Sequence, residues 1–296
     1  MIDFKEKYGN SNNLLPSPYD KRDYKFKDLI PLSVMKIPDE YETERTPFIF
    51  DQGSSSMCCA ASYCTIRYLQ EKEQSYIDEA FSPAFQYANR LEGENFEGMY
   101  VRSCCKKGLE GSVFYSELPG FYKFATCKRL FEKKKDELLE KASHFPISSY
   151  YQCSNRESVQ VAIMTTKAVL GGIYIYESMY EPDSDGFVHY NKNKDTKNYG
   201  GHAVVICGWK TDENGKFWWR IQNSWGKDWG DKGRGWIPEE YPWTESPWAL
   251  IDNDIQITFQ EYQQKYNLTT KAVAAAKKKK VASSRSTKKE SVEKQK

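Results

Sequence analysis

Apolar positions change along the chain from helix-like spacing in the first half to short strand-like runs in the second half. The longest helical pattern runs from Met57 to residue 73, where apolar and charged residues mix without Gly or Pro. Shorter helices are predicted over residues 83–91, 99–107 and 159–167. Runs of β-branched and aromatic residues predict strands over residues 173–176, 186–190, 203–209 and 217–222. Helices followed by strands predict the α+β class with two lobes, because alternating βαβ units would mix the two patterns.

The composition indicates a folded, mildly acidic body and a basic C-terminal segment. The 296 residues are enough for one large domain or two lobes with a sizeable core. The formal net charge is +2, but residues 271–296 contain ten basic and only two acidic residues, so the rest of the chain is mildly acidic. We therefore predict that residues 267–296 form a disordered basic tail. This tail either contacts nucleic acid or an anionic surface, or it only aids solubility.

The sequence argues against a secreted or membrane-bound protein. The N-terminus lacks the apolar segment of a secretory signal, and no run reaches the ~18 apolar residues of a membrane helix. Eight cysteines in such a chain are predicted to be free thiols. Adjacent Cys104 and Cys105 have no second Cys or His pair nearby, so we predict no metal site. We expect an intracellular protein, cytoplasmic or nuclear, that does not bind membranes.

The segment around Cys58 is the first candidate for chemistry. The Gly and Ser residues at positions 53–56 predict a tight loop, so Cys58 lies where the long helix begins. Unsatisfied backbone N–H groups and the positive end of the helix dipole favour a thiolate there, which is the reactive form of cysteine. The alternative is that Cys58 and Cys59 form a buried pair that serves only as small apolar side chains.

His202 is the second candidate. It follows Gly200 and Gly201 and begins an apolar strand, and paired glycines let another backbone come close. A nucleophilic cysteine needs a base that takes its proton and later protonates the leaving group, and imidazole has a suitable pKa. The alternative is a buried structural histidine. His189 lacks the paired glycines, and His144 is predicted to lie in a surface loop.

Asn223 begins the most specific motif of the chain, Asn-Ser-Trp-Gly at residues 223–226, which follows His202 by 21 residues. Together with Gln52 and Cys58, the order Gln, Cys, His, Asn resembles that of the papain-like cysteine proteases. The resemblance implies a papain-like two-lobed α+β fold. In that fold a helical lobe and a β-sheet or barrel lobe are separated by the active-site cleft.

The resemblance also implies a role for each matching residue. Cys58 is expected to be the nucleophile, His202 the base and acid, and Asn223 the acceptor that orients the imidazole. Gln52 is expected to donate a hydrogen bond to the oxyanion. Substrate-binding roles are predicted for three further residues, Gly98, Gly201 and Trp225.

The expected domains are a leader over residues 1–46, a catalytic domain over 47–266 and the basic tail. Within the catalytic domain, the helical lobe is predicted over about 50–150 and the β lobe over about 151–262. The leader resembles that of signal-less members from bacteria and large DNA viruses, in which it wraps onto the catalytic body. A viral origin would add a virion-associated location. A loosely tethered arm fits the leader sequence equally well.

The implied activity is that of a cysteine endopeptidase, which hydrolyses peptide bonds of proteins or peptides through a Cys58 thioester. Neither a metal nor an organic cofactor is needed for this chemistry. Two alternatives remain open: a catalytically inactive binding scaffold with the same fold, and a cysteine acyltransferase that passes the acyl group to an amine. The sequence leaves the oligomeric state undecided.

Overall fold

The structure, a computed structural model, describes residues 2–30, 32, 35–75 and 77–252. The predicted basic tail and the last part of the expected β lobe, residues 253–262, lie outside the described residues. Within the described ranges the helices come mostly before the strands, as the sequence pattern predicts. The α+β class with two lobes is therefore confirmed.

The helices confirm the predicted central helix and refine the shorter ones. The N-cap of the predicted 83–91 helix is Ser82, whose hydroxyl accepts from the Phe85 N–H at 3.0 Å, and Pro83 occupies the first turn. The bounds are α1 Phe4–Tyr8, α2 Phe26–Leu29, α3 Cys58–Ser75, α4 Pro83–Ala88, α5 Val101–Gly108, α6 Phe124–Glu132, α7 Lys135–Ala142, α8 Arg156–Thr166 and α9 Glu177–Tyr180.

The strands of the described ranges form one antiparallel sheet in the order β2-β7-β3-β4-β5-β6, with a short β1 added to β4. Their bounds are β1 Tyr41–Glu42, β2 Ser149–Gln152, β3 Val169–Tyr174, β4 Gly201–Thr211, β5 Phe217–Gln222, β6 Arg234–Pro238 and β7 Trp243–Ile251. The predicted strand over residues 217–222 is confirmed.

One predicted strand, over residues 186–190, is wrong. Gly186 adopts a φ of +83°, which turns the chain, and only Phe187 reaches the sheet, through an isolated bridge to Trp236. The sequence interpretation also missed β6 and β7. β6 contains Gly235 and Pro238 and β7 contains Pro247, which are typical turn residues, and the strand character of both segments comes from pairing with the rest of the sheet.

Helix α3 separates two apolar cores. It packs against α4 and α5 on one side and against β3 and β4 on the other. The helical core is centred on residues such as Tyr63, Phe85 and Cys104, and the sheet core on residues such as Val161, Ile206 and Trp219. Two cores joined along one helix make two lobes, and the N-terminal end of α3 lies where the lobes meet.

The leader contributes to both cores. Leu14 belongs to the helical core, whereas Tyr8, Phe26 and Ile30 belong to the sheet core. At its C-terminal end the leader forms β1, in which Tyr41 pairs with a residue of β4. The described part of the leader is therefore packed onto the body, which favours the wrapped arrangement over a loosely tethered arm.

Candidate active site

Cys58 lies at the start of α3, at the junction of the two lobes. The loop before it is held by Ser55, whose backbone N–H and hydroxyl both donate to the Gln52 carbonyl, at 3.1 and 2.7 Å. The Cys58 sulfur faces the backbone N–H of Ala203, the residue that follows His202. Ser62, one helical turn further on, donates to the Ala203 carbonyl at 3.1 Å and ties α3 to β4. The fold thus brings the sulfur beside the strand segment that carries the imidazole.

His202 is held in one orientation by Asn223. Its Nε2 lies 2.8 Å from Asn223 Oδ1, and because an amide oxygen can only accept, Nε2 carries the proton of the neutral ring. The other ring nitrogen, Nδ1, is buried and has no hydrogen-bond partner among the described residues. The ring therefore keeps a free lone pair, which can accept a proton from a thiol.

Trp225, for which a substrate-binding role was predicted, lies buried against the ring of His202 beside this hydrogen bond. Its ring centroid lies 4.9 Å from that of His202, and its side chain is buried. Two tyrosines stack on Trp225 almost in parallel: Tyr180 of α9 at 5.4 Å and Tyr8 of the leader at 5.0 Å. Water is thereby kept from the bond between His202 and Asn223.

The ionisation state differs from the sequence expectation. Burial raises the pKa of the Cys58 thiol to about 11, and hydrogen bonds from backbone amides oppose this shift only in part. Burial likewise lowers the pKa of His202 to about 4, against a smaller rise from its bond to Asn223. At neutral pH this form therefore contains a thiol and a neutral imidazole. The expected thiolate is not favoured, because desolvation outweighs the helix dipole.

Gln52, the expected oxyanion donor, is buried beside the other candidates. Its Nε2 donates to the Ser55 carbonyl at 2.8 Å, and its Oε1 accepts from the Ser224 hydroxyl at 2.6 Å. Ser224 directly follows Asn223, so this hydrogen bond joins the expected oxyanion donor to the neighbour of the residue that is bonded to the imidazole. The second N–H of the Gln52 amide remains to be used, which suits an oxyanion donor.

The cleft in front of these residues is filled by the leader. The Leu14 N–H donates to the Gly201 carbonyl at 3.0 Å, and the Asn13 side chain donates to Ser56 Oγ at 2.8 Å. A Cβ at Gly98 would lie 2.3 Å from the Asn13 carbonyl oxygen, and one at Gly201 would lie 2.1 Å from that of Leu14. The two glycines predicted to bind substrate thus lie against the backbone of the leader instead.

The sequence interpretation missed Asn13 and Leu14 as residues of this site. The local signal was a pair of leucines, Leu14 and Leu15, between the polar residues 9–13 and Pro16. The two side chains have opposite surroundings: Leu14 is 2% exposed and Leu15 is 46% exposed. Nothing local distinguishes them, so only the position of the cleft decides which one is buried.

The other histidines lie outside the site. His189 is exposed and pairs with Asp183 at 2.7 Å, and His144 lies on the surface, as predicted. Among the described residues, no group of three or more His, Cys, Asp or Glu side chains could hold a metal ion. Within the same ranges, every helix is too short or too polar to cross a bilayer.

Comparison with known proteins identifies the family. The family model for papain family cysteine proteases matches residues 78–241, which include His202 and Asn223 but not Gln52 or Cys58. Cathepsin B-like cysteine proteinase 3 of Ostertagia ostertagi is 32% identical over 162 residues, 51% of this chain and 87% of that protein. A gut-specific cysteine proteinase of Caenorhabditis elegans is 37% identical over 93 residues, but this covers only 31% of this chain and 27% of that protein.

Solved structures support the same fold. Xylellain, a cysteine protease from Xylella fastidiosa, has a TM-score of 0.71 at 19% identity and covers 83% of this chain and 98% of its own. Procathepsin B S9 from Trypanosoma congolense has a TM-score of 0.59 at 15% identity and covers 85% and 88%. The chain therefore belongs to the papain family of cysteine proteases.

Proposed function

We propose that this papain-family cysteine protease is an endopeptidase whose nucleophile is Cys58. The observation that carries the proposal is the state of His202, with one ring nitrogen bonded to Asn223 and the other buried without a partner. The Cys58 sulfur faces the backbone next to this ring. The thiol lies beside the strand segment that carries the ring, but Nδ1 makes no hydrogen bond to it among the described residues, so the two groups have to approach each other before the proton is transferred.

In the proposed reaction, His202 takes the Cys58 proton and the sulfur attacks a peptide carbonyl carbon. The Cys58 N–H and the Gln52 amide donate to the oxygen that becomes negative. His202 then gives the proton to the leaving amine, which breaks the C–N bond and leaves a thioester. Water attacks the thioester, releases the acid product and restores the thiol. Asn223 keeps the ring in one orientation during both proton transfers.

The covered cleft supports a second element of the proposal: this form is latent. The leader backbone lies against Gly98 and Gly201, the two glycines expected to bind substrate, and burial disfavours the Cys58 thiolate. Substrate therefore has to replace the leader before reaction begins.

The active enzyme and the inactive scaffold are separated by labelling. The full chain is incubated at neutral pH with an active-site-directed epoxide, and the modified thiol is identified by mass spectrometry. An enzyme is labelled stoichiometrically at Cys58, slowly because of the leader but selectively, and it hydrolyses a fluorogenic peptide that the Cys58→Ala variant leaves intact. Unselective labelling of several thiols without hydrolysis would instead support the scaffold.

The acyltransferase alternative is tested by asking whether water or an amine accepts the acyl group. The same peptide substrate is supplied with an excess of a primary amine, and the masses of the products are measured by mass spectrometry. Release of the free acid in water supports hydrolysis, whereas a product that contains the amine even at low amine concentration supports acyl transfer. No observation in the cleft favours the amine over water.

We also propose the domain limits and the location suggested by the sequence. Residues 1–46 serve as leader, 47–266 as the catalytic domain and 267–296 as a basic tail that can contact nucleic acid or an anionic surface. The eight cysteines are all free and buried, which suits a reducing, intracellular compartment. Electrophoretic mobility shift with and without residues 267–296 tests the tail, since loss of the ten basic residues should abolish binding if the tail carries it.

A further inference from the structure

The ammonium group of Lys5, in helix α1, lies in a cation site formed by two residues of the catalytic body. Its Nζ donates to both carboxylate oxygens of Glu177, at 2.8 Å each. The same ammonium group lies over the ring of Tyr199, with 5.0 Å between Nζ and the ring centroid. A carboxylate and an aromatic face both attract ammonium and guanidinium groups. The pair Glu177 and Tyr199 can therefore hold a basic side chain other than that of Lys5.

Contacts within the body hold this site together. The Tyr199 hydroxyl donates to Glu177 Oε2 at 2.6 Å, and the Tyr199 N–H donates to the Ile175 carbonyl at 2.8 Å. The ring of Tyr180 packs edge-on against that of Tyr199, with 5.6 Å between the centroids. Lys197 also lies over the Tyr199 ring, at 4.8 Å, but among the described residues the Glu177 carboxylate accepts only from Lys5 and Tyr199. The site therefore keeps its shape and its negative charge when Lys5 leaves.

A chain of ring contacts connects this site to the catalytic imidazole. Tyr180, which packs against Tyr199, stacks on Trp225 at 5.4 Å, and Trp225 contacts His202 at 4.9 Å. His202 protonates the leaving amine in the proposed reaction, so the C-terminal half of a substrate lies on this side of the cleft. An extended peptide advances about 3.3–3.6 Å per residue. The site is therefore within about five residues of the cleaved bond.

The surroundings of the site are acidic. A cavity of about 830 Å³ borders it, and four lining residues of the body carry carboxylates, Glu177, Glu181, Asp183 and Asp228. Among the described residues, Lys5 of the leader is the one basic residue that lines this cavity. Charge of a single sign around a concave surface attracts groups of the opposite sign and repels like charge. The cavity therefore favours a basic segment of substrate over an acidic one.

We propose that Glu177 and Tyr199 form a specificity subsite for a lysine or arginine side chain on the C-terminal side of the cleaved bond. The substrate side chain takes the place of Lys5, donates to the carboxylate and lies on the ring. The inference rests on the proposed function, because it names the class of peptide that reaches Cys58. The Glu177 side chain is 43% exposed, so solvent weakens the ion pair. We expect a preference of about 3- to 30-fold and not an absolute requirement.

Competition between two substrates in one tube tests the subsite. The full chain is mixed with two versions of a peptide that it cleaves, which differ only by Lys or Gln at one position. That position is moved through the residues that follow the cleaved bond, and the products are quantified by mass spectrometry. The ratio of the two rates gives the ratio of kcat/KM, and the covering leader slows both rates by the same factor. We expect the Lys peptide to be cleaved about 3- to 30-fold faster at one or two positions.

Three variants assign the preference to Glu177. Glu177→Gln should bring the ratio close to one, and Glu177→Lys should make a Glu peptide the better substrate at the same position. The matched control is Glu181→Gln, which lines the same cavity without contacting Lys5 and should keep the preference. Loss of the bond to Lys5 changes the rates of both peptides equally, so it does not affect the ratio. A ratio near one in the unmodified chain at every position, or an unchanged ratio in Glu177→Gln, would overturn the proposal.

Peptide binding separates failure of the subsite from failure of the proposed function. If the full chain hydrolyses no peptide, the proposed function is refuted, and the subsite is decided with the Cys58→Ala variant. The same Lys and Gln peptides carry a fluorescent label, and their affinities are measured by fluorescence anisotropy. Tighter binding of the Lys peptide, lost when Glu177→Gln is added, supports the subsite. Equal affinities refute it. Hydrolysis without any preference would refute the subsite and leave the proposed function intact.

Discussion

Leu14 offers the sharpest test that the first part of the leader, residues 2–17, which we name the plug, closes the active site. Its side chain is 2% exposed and packs against Gly172 of β3. A Cβ added to Gly172 would lie only 2.9 Å from Leu14 Cδ2. Burying a leucine contributes about 1.5–3 kcal/mol, and truncation to Ala removes most of this and leaves a void. Leu14→Ala should therefore weaken docking of the plug by about 2–3 kcal/mol. Since 1.4 kcal/mol is a factor of ten, the open fraction should rise about 30- to 140-fold.

The assay is the rate at which iodoacetamide alkylates Cys58 in the uncut full-length chain. When opening is fast and rare, this rate is proportional to the open fraction, so it should rise by the same factor. The neighbouring variant Leu15→Ala is the matched control, because Leu15 is 46% exposed, and we expect its rate to change less than about twofold. Circular dichroism confirms that both variants are folded. Equal alkylation rates in the two variants would falsify the idea that the plug side chain holds the cleft closed.

Three further predictions concern the catalytic residues. Cys58→Ala should abolish hydrolysis of a fluorogenic peptide, whereas Cys59→Ala, which removes a thiol not assigned to catalysis, should keep most of it. His202→Ala should lower kcat about 10²- to 10⁴-fold, because it removes the base, and Asn223→Ala only about tenfold, because it removes one orienting hydrogen bond. Burial lowers the pKa of His202 from 6.5 to about 4. The latent form should therefore lose about 2 kcal/mol of stability between neutral pH and pH 5. Thermal unfolding measures this loss, with the His202→Gln variant as the control.

The sign of the pH effect follows from proton uptake. Between pH 6.5 and 4 the unfolded chain holds a proton on His202 that the latent form does not, so the stability of the latent form falls as the pH falls. An unfolding curve with the same pH dependence in the His202→Gln variant would contradict this account. If the Cys59→Ala variant lost activity and the Cys58→Ala variant kept it, the nucleophile would be Cys59. Equal losses in the histidine and asparagine variants would argue against an orienting role for Asn223.

Much of the site was predictable from short segments of sequence. Cys58 follows a Gly-Ser loop and begins a helix, and His202 and Asn223 each lie at an end of a strand that local composition predicts. Loops, helix starts and apolar strands depend on neighbours within a few residues, which is why these predictions hold. The strand predicted over residues 186–190 was wrong, since the turn at Gly186 matters more than the run of apolar residues after it.

The ionisation of the site was not predictable in this way. A cysteine at a helix start is expected to be acidic, yet burial raises the pKa of Cys58 to about 11. Cys58 is 2% exposed and lies beside the backbone of Ala203, which is more than 140 positions away in sequence. Desolvation depends on everything that surrounds a group, so no local pattern could reveal it.

The sequence by itself determined the class of protein and the residue types proposed for its active site. The order of Gln52, Cys58, His202 and Asn223, with a glycine pair before the histidine, was enough for the papain resemblance. These residues do chemistry only at defined types of local structure, such as a helix start or a strand end. The sequence around each residue encodes that local structure directly.

Only the tertiary structure decided that the cleft is filled and by which residues. The leader reads as one polar segment, but its first part lies on Gly98 and Gly201 and its last part completes the sheet core. Which of two adjacent leucines is buried depends on the shape of a cleft formed by both lobes. Contacts between distant segments follow from the packing of the whole chain, and a local stretch of sequence carries no record of them.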